Sequence, residues 1–332
     1  MRSRIFAALS VILGFSTLGL GQQTACKGVE VPIGVIGASG DIFRGLAAED
    51  FVGHLQKKPV TVKLVTFDDG PRRVLIVVDV NKKLPADSRR AQGEMLRTIL
   101  DNARPQDTFA LISTHGHGPQ VKFTADRSAI KVGWESGSDN GKEKELGVLD
   151  GVMAGMEWFG TPQSGDSIVV IAADMEGNHK ANAKLVASAL EEKHIRMFGL
   201  ALGPVTTKNS VAGETVTNAS MGLAYSRPAV GDVVYTTGDD NFFPLTVNSG
   251  GLVLGVMNGD SYHSYHLEDP KVLQAVRQKA LSVSKMISAY YRMQVEPPQL
   301  AHPEDWNLII NPEVQKHAPP MFVLYPHQLG PC

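Results

Sequence analysis

Four continuous apolar segments, separated by helical patterns, constrain the fold more than any other feature of this sequence. The segments are "RRVLIVVD" (72–79), "DTFALIS" (107–113), "SIVVIAAD" (167–174) and "IRMFGLALG" (195–203). An apolar run without polar alternation is typical of a strand that is buried on both faces of a parallel sheet. Such strands alternating with helices predict an α/β fold, an open, mainly parallel sheet with helices on both faces.

The patterns between these strands predict amphipathic helices. One begins at Asp87 or Ser88 and runs to about Arg104, because its apolar positions share a face and Pro105 ends it. Further helices are predicted around Leu149 to Met156, over 178–194, and from Pro270 onward. The segment "QVKFTADRSAIKVGW" (120–134) predicts an edge strand followed by a short turn.

The two ends of the chain contain strand patterns, and no helix is predicted among the short strands of the C-terminal tail. Residues 28–67 and 291–332 contain short β-rich runs separated by glycines and prolines. They predict a small β-rich accessory unit beside an α/β domain over 72–290. Residues 204–240 are rich in Gly, Thr, Ser and Asn and are long for a connection, which predicts an insertion near the edge of the sheet.

The first 21 residues predict an export signal. Arg2 and Arg4 precede a short apolar run diluted by polar and small residues, with a cleavage site expected near Gly21. No later stretch is long and apolar enough to predict a transmembrane segment in the mature chain. We therefore expect a secreted or periplasmic protein, with an envelope association left open. Cys26 and Cys332 are open to pairing with each other, to lipidation of Cys26, or to neither.

The charge balance argues against nucleic acid as a partner. The chain has 32 basic and 34 acidic residues, so no strong basic field is expected. Nucleophilic hydrolysis also lacks support, because no Gly-x-Ser-x-Gly elbow is present.

A dinucleotide fingerprint is the main rival interpretation. In "GVIGASGDIFRGL" (34–46), Gly37, Gly40 and Gly45 follow a strand, and a second strand ends on Asp68, where a ribose ligand would be expected. The spacing of the glycines is weak support, and a Gly-rich turn explains it equally well. The rival function is an extracytoplasmic enzyme that uses a nicotinamide or metal cofactor.

Two histidine-containing loops are weaker metal candidates. His115 and His117 follow the second strand, and two His at i, i+2 can point the same way, but no third ligand is identifiable. The loop "GDSYHSYHLED" (259–269) has His263 and His266 near acidic residues, and a solvated loop before a helix explains it as well.

Three landmarks along the chain point to a known family. They are "VPIGVIGASGDIFRGLAAEDFVGHLQKKPVTVKLVTFDD" (31–69), then "RRVLIVVD" with its helix and "RPQDTFALIS" (104–113), and finally "SGGLVLGV" (249–256) with the long helix and "ISAYYRMQVEPP" (287–298). In these landmarks and in element order, the chain resembles the von Willebrand factor A-like proteins, specifically the secreted type described as acidobacterial VWFA-related.

The resemblance implies a metal-ion-dependent adhesion site at the carboxyl ends of the strands. Asp79 matches the first Asp of its Asp-x-Ser-x-Ser pattern, and Asp174 matches the later Asp. The two Ser positions fall on Asn81 and Lys83, and the Thr position falls on or next to Leu146. Asn81 can still offer an oxygen, whereas the ammonium of Lys83 repels a divalent ion and Leu146 has no ligand atom.

These departures predict a degenerate metal site with no resident cofactor. Two carboxylates brought together without a cation repel each other, and the Lys83 ammonium is placed to offset that repulsion. Magnesium binding through Asp79, Asn81 and Asp174 is the less favoured alternative. A third interpretation is that Asp79 and Asp174 simply end strands and accept hydrogen bonds from loop amides.

The function that follows is recognition of another protein or of an envelope component, without enzymatic activity. Loops at the carboxyl ends of the strands would carry it, and they are 81–85, 115–119, 141–146 and 175–179. The binding residues expected on them are Lys83, His115, His117, Leu146 and Glu176. A purely structural envelope component is a further alternative.

Overall fold

The computed structural model of this chain describes most of the residues after the predicted export signal. The described ranges are 28–37, 40–80, 86–114, 120–136, 146–172, 180–202, 205–209, 215–217, 232–236, 242–255, 267–297, 300–319 and 321–330. The predicted signal at 1–21 and both cysteines lie outside these ranges. Among the described residues, no helix is both long enough and apolar enough to span a bilayer.

Sixteen strands and seven α-helices are assigned within the described ranges. The strands are β1 (Val29–Gly37), β2 (Phe51–Leu55), β3 (Lys58–Asp68), β4 (Arg73–Asp79), β5 (Thr108–Thr114), β6 (Val121–Thr124), β7 (Ser167–Ala172), β8 (Arg196–Ala201), β9 (Val205–Asn209), β10 (Thr215–Thr217), β11 (Asp232–Thr236), β12 (Val253–Gly255), β13 (Tyr290–Glu296), β14 (Glu304–Ile310), β15 (Met321–Leu324) and β16 (Gln328–Leu329). The helices are α1 (Ala86–Asp101), α2 (Arg127–Ser136), α3 (Val148–Met156), α4 (Ala183–Glu192), α5 (Phe242–Asn248), α6 (Pro270–Ser288) and α7 (Pro312–His317).

A six-stranded sheet forms the centre of the α/β part, in the order β12-β8-β7-β4-β5-β6. All of its pairings are parallel except that of the edge strand β6 with β5. Every residue of β7 and β8 is buried, as the continuous apolar runs predict for strands covered on both faces. The predicted α/β fold with an open, mainly parallel sheet is confirmed.

Helices cover both faces of this sheet because alternate strand residues point to opposite sides. Val74, Ile76 and Val78 of β4 belong to a core cluster that includes residues of α1, α2 and α6. Leu75 and Val77 belong to a second cluster with residues of α3, α4 and α5.

Helix α2 replaces the short turn that the sequence predicts after β6. Ile130 and Gly133 are buried, and Trp134 packs against the first core cluster, so the inward positions follow the i, i+3, i+4 spacing of a helix. Three inward positions in ten residues give a weak periodicity, which explains why the pattern was missed.

The strand order reverses at one position in the six-stranded sheet. β4 comes first along the chain within this sheet, β5 and β6 extend it to one side, and β7, β8 and β12 extend it to the other. The carboxyl ends of β4 and β7 therefore flank a topological switch point, where open α/β sheets usually bind ligands.

The segments before β4 and after α6 combine in a second sheet of seven strands, ordered β15-β1-β13-β3-β2-β14-β16. Its pairings are antiparallel. Ile33, Tyr291, Met293 and Trp306 are buried in its core. This sheet is larger than the small unit that the sequence predicts. The prediction that the tail has no helix is wrong, because α7 begins at Pro312, where Asn311 caps it. A third, three-stranded sheet, β10-β9-β11, is formed by strands from the 204–240 segment.

Buried arginines lie where the two larger sheets meet. Arg72, just before β4, donates from Nη2 to the Asp68 carbonyl oxygen (2.7 Å) and from Nε to the Ile287 carbonyl oxygen (3.2 Å). Its guanidinium lies 4.5 Å from the centre of the Tyr290 ring, and the Arg196 guanidinium lies 4.4 Å from the same ring. Tyr290, in the first strand after α6, therefore contacts the residue before β4 and the first residue of β8.

Candidate functional site

Asp79 ends β4 at the topological switch point. Its exposed fraction is 1%, and it lies opposite Thr114 in the parallel register of β4 and β5. The Thr114 hydroxyl donates to Asp79 Oδ1 (3.3 Å) and also approaches the Val78 carbonyl oxygen (3.4 Å). The side-chain amide of Gln92, on α1, donates to the Asp79 carbonyl oxygen. The position of Asp79 is thus fixed at the end of β4 by contacts with the neighbouring strand β5 and with helix α1.

Helix α3 brings a second buried carboxylate to the same edge. Asp150 lies in its first turn, is 7% exposed, and accepts hydrogen bonds at Oδ1 from the backbone N–H groups of Lys180 (2.9 Å) and Ala181 (2.7 Å). Lys180 and Ala181 belong to the connection that follows β7 and leads to α4. Asp150 therefore ties α3 to the chain that leaves the switch point.

Gly151 allows α3 to approach the ends of β4 and β5. A Cβ at this position would lie 3.1 Å from Thr114 Cγ2 and 3.3 Å from Val77 Cγ1. These distances are tighter than ordinary van der Waals contacts, so a larger residue would displace the threonine that contacts Asp79. The lack of a side chain at position 151 therefore allows α3 to pack closely against the carboxyl ends of β4 and β5.

Most of the site residues predicted from the sequence lie outside the described ranges. This holds for Asn81, Lys83, His115, His117, Asp174 and Glu176, and for the loops 81–85, 115–119 and 175–179. Asp79 and Leu146 are described. Leu146 is half-buried immediately before α3, at the helix where the family pattern has its threonine.

Three residues at this edge were missed by the sequence analysis. Thr114 extends the second strand by one residue beyond the predicted end at Ser113, and the parallel register then places it opposite Asp79. Asp150 belongs to a predicted helix whose apolar positions alone were considered, and Gln92 lies on the buried face of α1. A buried polar residue within a helical apolar stripe is the signal that identifies both of them.

The described residues at this edge supply few oxygen atoms that could coordinate a cation. They offer the Asp79 carboxylate and the Thr114 hydroxyl, while one Asp150 oxygen already accepts two amide hydrogen bonds. Within the described ranges, no group of three or more His, Cys, Asp or Glu side chains is placed to hold a metal ion. A magnesium site of the implied kind therefore depends on Asn81 and Asp174, which fall outside those ranges.

The dinucleotide interpretation does not fit the described backbone. The fingerprint requires its glycines to lie between a parallel strand and the first turn of a helix, whose N–H groups hold the pyrophosphate. β1, which ends on Gly37, instead pairs antiparallel with β13 and β15. The first helical residues described after it are the short 3₁₀ turn Ala48–Asp50.

The acidic residues after the second histidine-containing loop have structural roles. Glu268 accepts from Arg90 Nη1 (3.0 Å), and the Asp269 side chain accepts from the Lys271 N–H (2.8 Å) as the N-cap of α6. His263 and His266 lie outside the described ranges.

Comparison with known proteins gives matches only among solved structures. No family model matches the chain, and no curated protein does. A von Willebrand factor type A protein from Catenulispora acidiphila is 9% identical, with 87% of this chain and 71% of that chain covered at a TM-score of 0.43. An aerotolerance-related membrane protein from Bacteroides fragilis, carrying multiple mutations to serine, is 18% identical, with 63% and 98% covered at a TM-score of 0.38.

Proximal thread matrix protein 1 from the mussel byssus, with a zinc-occupied MIDAS motif, is a further similar structure. It is 11% identical, with 70% of this chain and 50% of that chain covered at a TM-score of 0.43. Von Willebrand A domains are thus among the structures to which this chain is similar. All three TM-scores are below 0.5, so the architecture described above rests on the strand order and register of this chain.

Proposed function

We propose that this chain is an exported, non-enzymatic binding module of the von Willebrand A type, which recognises another protein or an envelope component. The buried Asp79 at the topological switch point is the observation that carries the proposal. Thr114, Gln92, Asp150 and Gly151 build a rigid base beneath the connections that leave this edge. In proteins of this architecture, recognition residues are commonly carried by loops that a rigid scaffold positions.

The proposed recognition surface consists of the loops 81–85, 115–119, 141–146 and 175–179. Within it, we propose a degenerate adhesion site in which the Lys83 ammonium takes over part of the electrostatic role of a metal ion beside Asp79 and Asp174. The full burial of Asp79 supports this idea, because a carboxylate in such a position is stabilised by a nearby positive charge. If a magnesium ion does bind, it would neutralise the same carboxylates, with Asp79, Asn81 and Asp174 as its protein ligands.

Metal titration tests the degenerate site. We expect isothermal titration calorimetry with Mg²⁺, Mn²⁺ and Ca²⁺ to detect no micromolar binding, because Lys83 repels a divalent ion from the ligand positions. Asp79→Asn and Asp101→Asn are the matched variants, since Asp101 is an exposed carboxylate at the end of α1 that pairs with Lys131. Micromolar binding that is lost in Asp79→Asn and kept in Asp101→Asn would contradict the proposal.

Affinity capture from the native envelope fraction tests the recognition surface. We expect the full chain to retain a specific protein or envelope polymer, and Lys83→Ala to weaken that retention at least about tenfold if this lysine is a central contact. Lys316→Ala removes an exposed lysine that pairs with Glu313 on α7 and should leave retention unchanged. Equal retention by both variants would show that Lys83 is not part of the recognition surface. Cofactor fluorescence or stoichiometric metal in the purified chain would instead favour the enzyme alternative.

A further inference from the structure

A cleft lies beside the carboxyl end of β4, between α1, α2 and the start of α6. Its volume is about 460 Å³, within the range of about 300–1,000 Å³ that is typical of small-molecule sites. Val80, Leu267 and Leu273 form apolar parts of its lining, together with the half-buried ring of Trp134. The cleft therefore has the size of a ligand pocket and a lining that is partly apolar and partly charged.

Three arginines of α1 line the same cleft, and two of them already have carboxylate partners. Arg90 Nη1 lies 3.3 Å from Asp87 Oδ1 and 3.0 Å from Glu268 Oε1. Arg97 pairs with Glu94 one turn before it on the helix. Arg90 therefore has two carboxylate partners, whereas Arg97 shares Glu94 with Arg277 of α6.

Arg89 differs from its two neighbours. It makes no ion pair with any described residue, and its buried Nε has no hydrogen-bond partner within the described ranges. No carboxylate of the described residues therefore offsets the Arg89 charge, and an anion bound in the cleft would do so. The first turn of α1 adds positive potential at the same place, which further favours an anion.

The position of Trp134 depends on a glycine of α1. A Cβ on Gly93 would lie 3.2 Å from Trp134 Nε1, so the absence of a side chain there lets the indole approach the helix closely. The indole and Arg89 both line the cleft, which gives it an aromatic wall and a guanidinium that no described carboxylate pairs with.

We propose that this cleft binds a small organic anion, with its carboxylate on Arg89 and an aromatic or branched apolar body against Trp134, Leu267 and Leu273. A planar guanidinium is suited to a carboxylate because it can donate two parallel hydrogen bonds. The argument for this site uses only described residues in or next to β4, α1, α2 and α6, and none of the residues proposed for recognition. Glu135, exposed at the opening, disfavours a ligand with a second negative charge.

Titration with three probes tests the proposal on the full chain. We expect 3-phenylpropionate to bind saturably in ligand-observed NMR and calorimetry, and 3-phenylpropionamide to bind at least about tenfold more weakly because it lacks the charge. Inorganic phosphate should bind more weakly than the carboxylate, since it has no apolar body. Absence of saturable phenylpropionate binding, or equal binding of the amide or of phosphate, would overturn the proposal.

Substitutions on one helix separate Arg89 from general electrostatics. Arg89→Gln should weaken phenylpropionate binding at least about tenfold, whereas Arg90→Gln, which removes the same charge from a partnered neighbour, should change it less than about threefold. Arg89→Lys should fall between the parent and Arg89→Gln, because the charge remains and the bidentate geometry is lost. An unchanged melting temperature for each variant shows that the helix is intact. Equal losses of phenylpropionate affinity in Arg89→Gln and Arg90→Gln would overturn the assignment to Arg89.

Discussion

Replacing Gly251 with alanine is expected to prevent stable folding of the α/β sheet. Gly251 lies between α5 and β12, where its N–H donates to the Thr246 carbonyl oxygen (2.9 Å). A Cβ at this position would overlap the Met197 carbonyl oxygen and lie 2.7 Å from its carbonyl carbon. These atoms belong to the backbone of β8, a fully buried strand, so no side-chain rotation can relieve the overlap.

The expected cost of Gly251→Ala is larger than that of an ordinary overpacked core. Added methylenes in a packed core cost about 1–3 kcal/mol where side chains can move. Here either β8 or β12 must shift, and the pairing of Val253 with Gly199 must shift with it. We therefore expect the free energy of unfolding to fall by more than about 4 kcal/mol, an effect that few single substitutions reach.

Urea unfolding followed by circular dichroism measures this effect. Gly330→Ala is the matched control, because nothing lies within 4 Å of the position of its Cβ. We expect that control to stay within about 0.5 kcal/mol of the parent. Unfolding of Gly251→Ala at the same urea concentration as the parent would contradict the close approach of the two backbones.

Replacing Arg196 with methionine is expected to stabilise the protein by about 1–4 kcal/mol, as for buried charged groups exchanged for apolar ones. Arg196 begins β8 with an exposed fraction of 1%. None of its three guanidinium nitrogens has a hydrogen-bond partner within the described ranges. Its compensating contacts are the rings of Tyr290 (4.4 Å) and Phe198 (5.3 Å). Stacking of this kind is worth about 2 kcal/mol, which is less than the cost of removing a guanidinium from water.

Arg72→Met is the matched control, and we expect the opposite sign. Arg72 contacts the same Tyr290 ring, but its guanidinium also donates to backbone carbonyls and to the Asp68 carboxylate (3.0 Å). Removing it leaves these acceptors without their donor, which costs about 3–5 kcal/mol for a buried pair. Destabilisation in both variants would show that burial of the Arg196 charge is compensated by contacts beyond the two rings.

The pH dependence of the Arg196→Met effect follows from the same burial. Desolvation lowers the pKa of Arg196 from its ordinary value in the unfolded chain to about 10. Between these values the unfolded chain binds more protons than the folded one, so the stability of the parent rises with pH in this window. The advantage of methionine should therefore be constant below about pH 10 and shrink above it, which unfolding at neutral pH and at about pH 11 can measure.

The α/β sheet could be predicted because its signals are local. The continuous apolar runs that became β4, β7 and β8 each identify a strand buried on both faces. Pro270 at the start of α6 and the N-cap Asp269 are equally local, and the sequence analysis placed that helix start within a residue. Asp79 was located in the same way, because a polar residue that ends an apolar run marks the end of the strand.

The candidate site was only partly predictable because its members meet through strand pairing. Thr114 and Asp79 are 35 positions apart and become neighbours through the parallel register of β4 and β5. Asp150 reaches the amides of Lys180 and Ala181 only once α3 has packed on the sheet. Arg89 differs from Arg90 in its burial and in which carboxylates lie nearby, and helical periodicity does not specify those carboxylates.

The sequence by itself determined the long buried strands β4, β5, β7 and β8 and the helices α1, α3, α4 and α6, because hydrophobic periodicity is a local signal. It did not determine the shorter helices α2, α5 and α7, whose patterns are too short. Only the tertiary structure decided how the two ends combine: β1 lies between β13 and β15, so residues from opposite ends of the chain share one antiparallel sheet. It also decided that Gly251 lies against the backbone of β8 and that Arg196 is buried beside Tyr290. Such pairings depend on contacts between distant segments, and no local pattern specifies them.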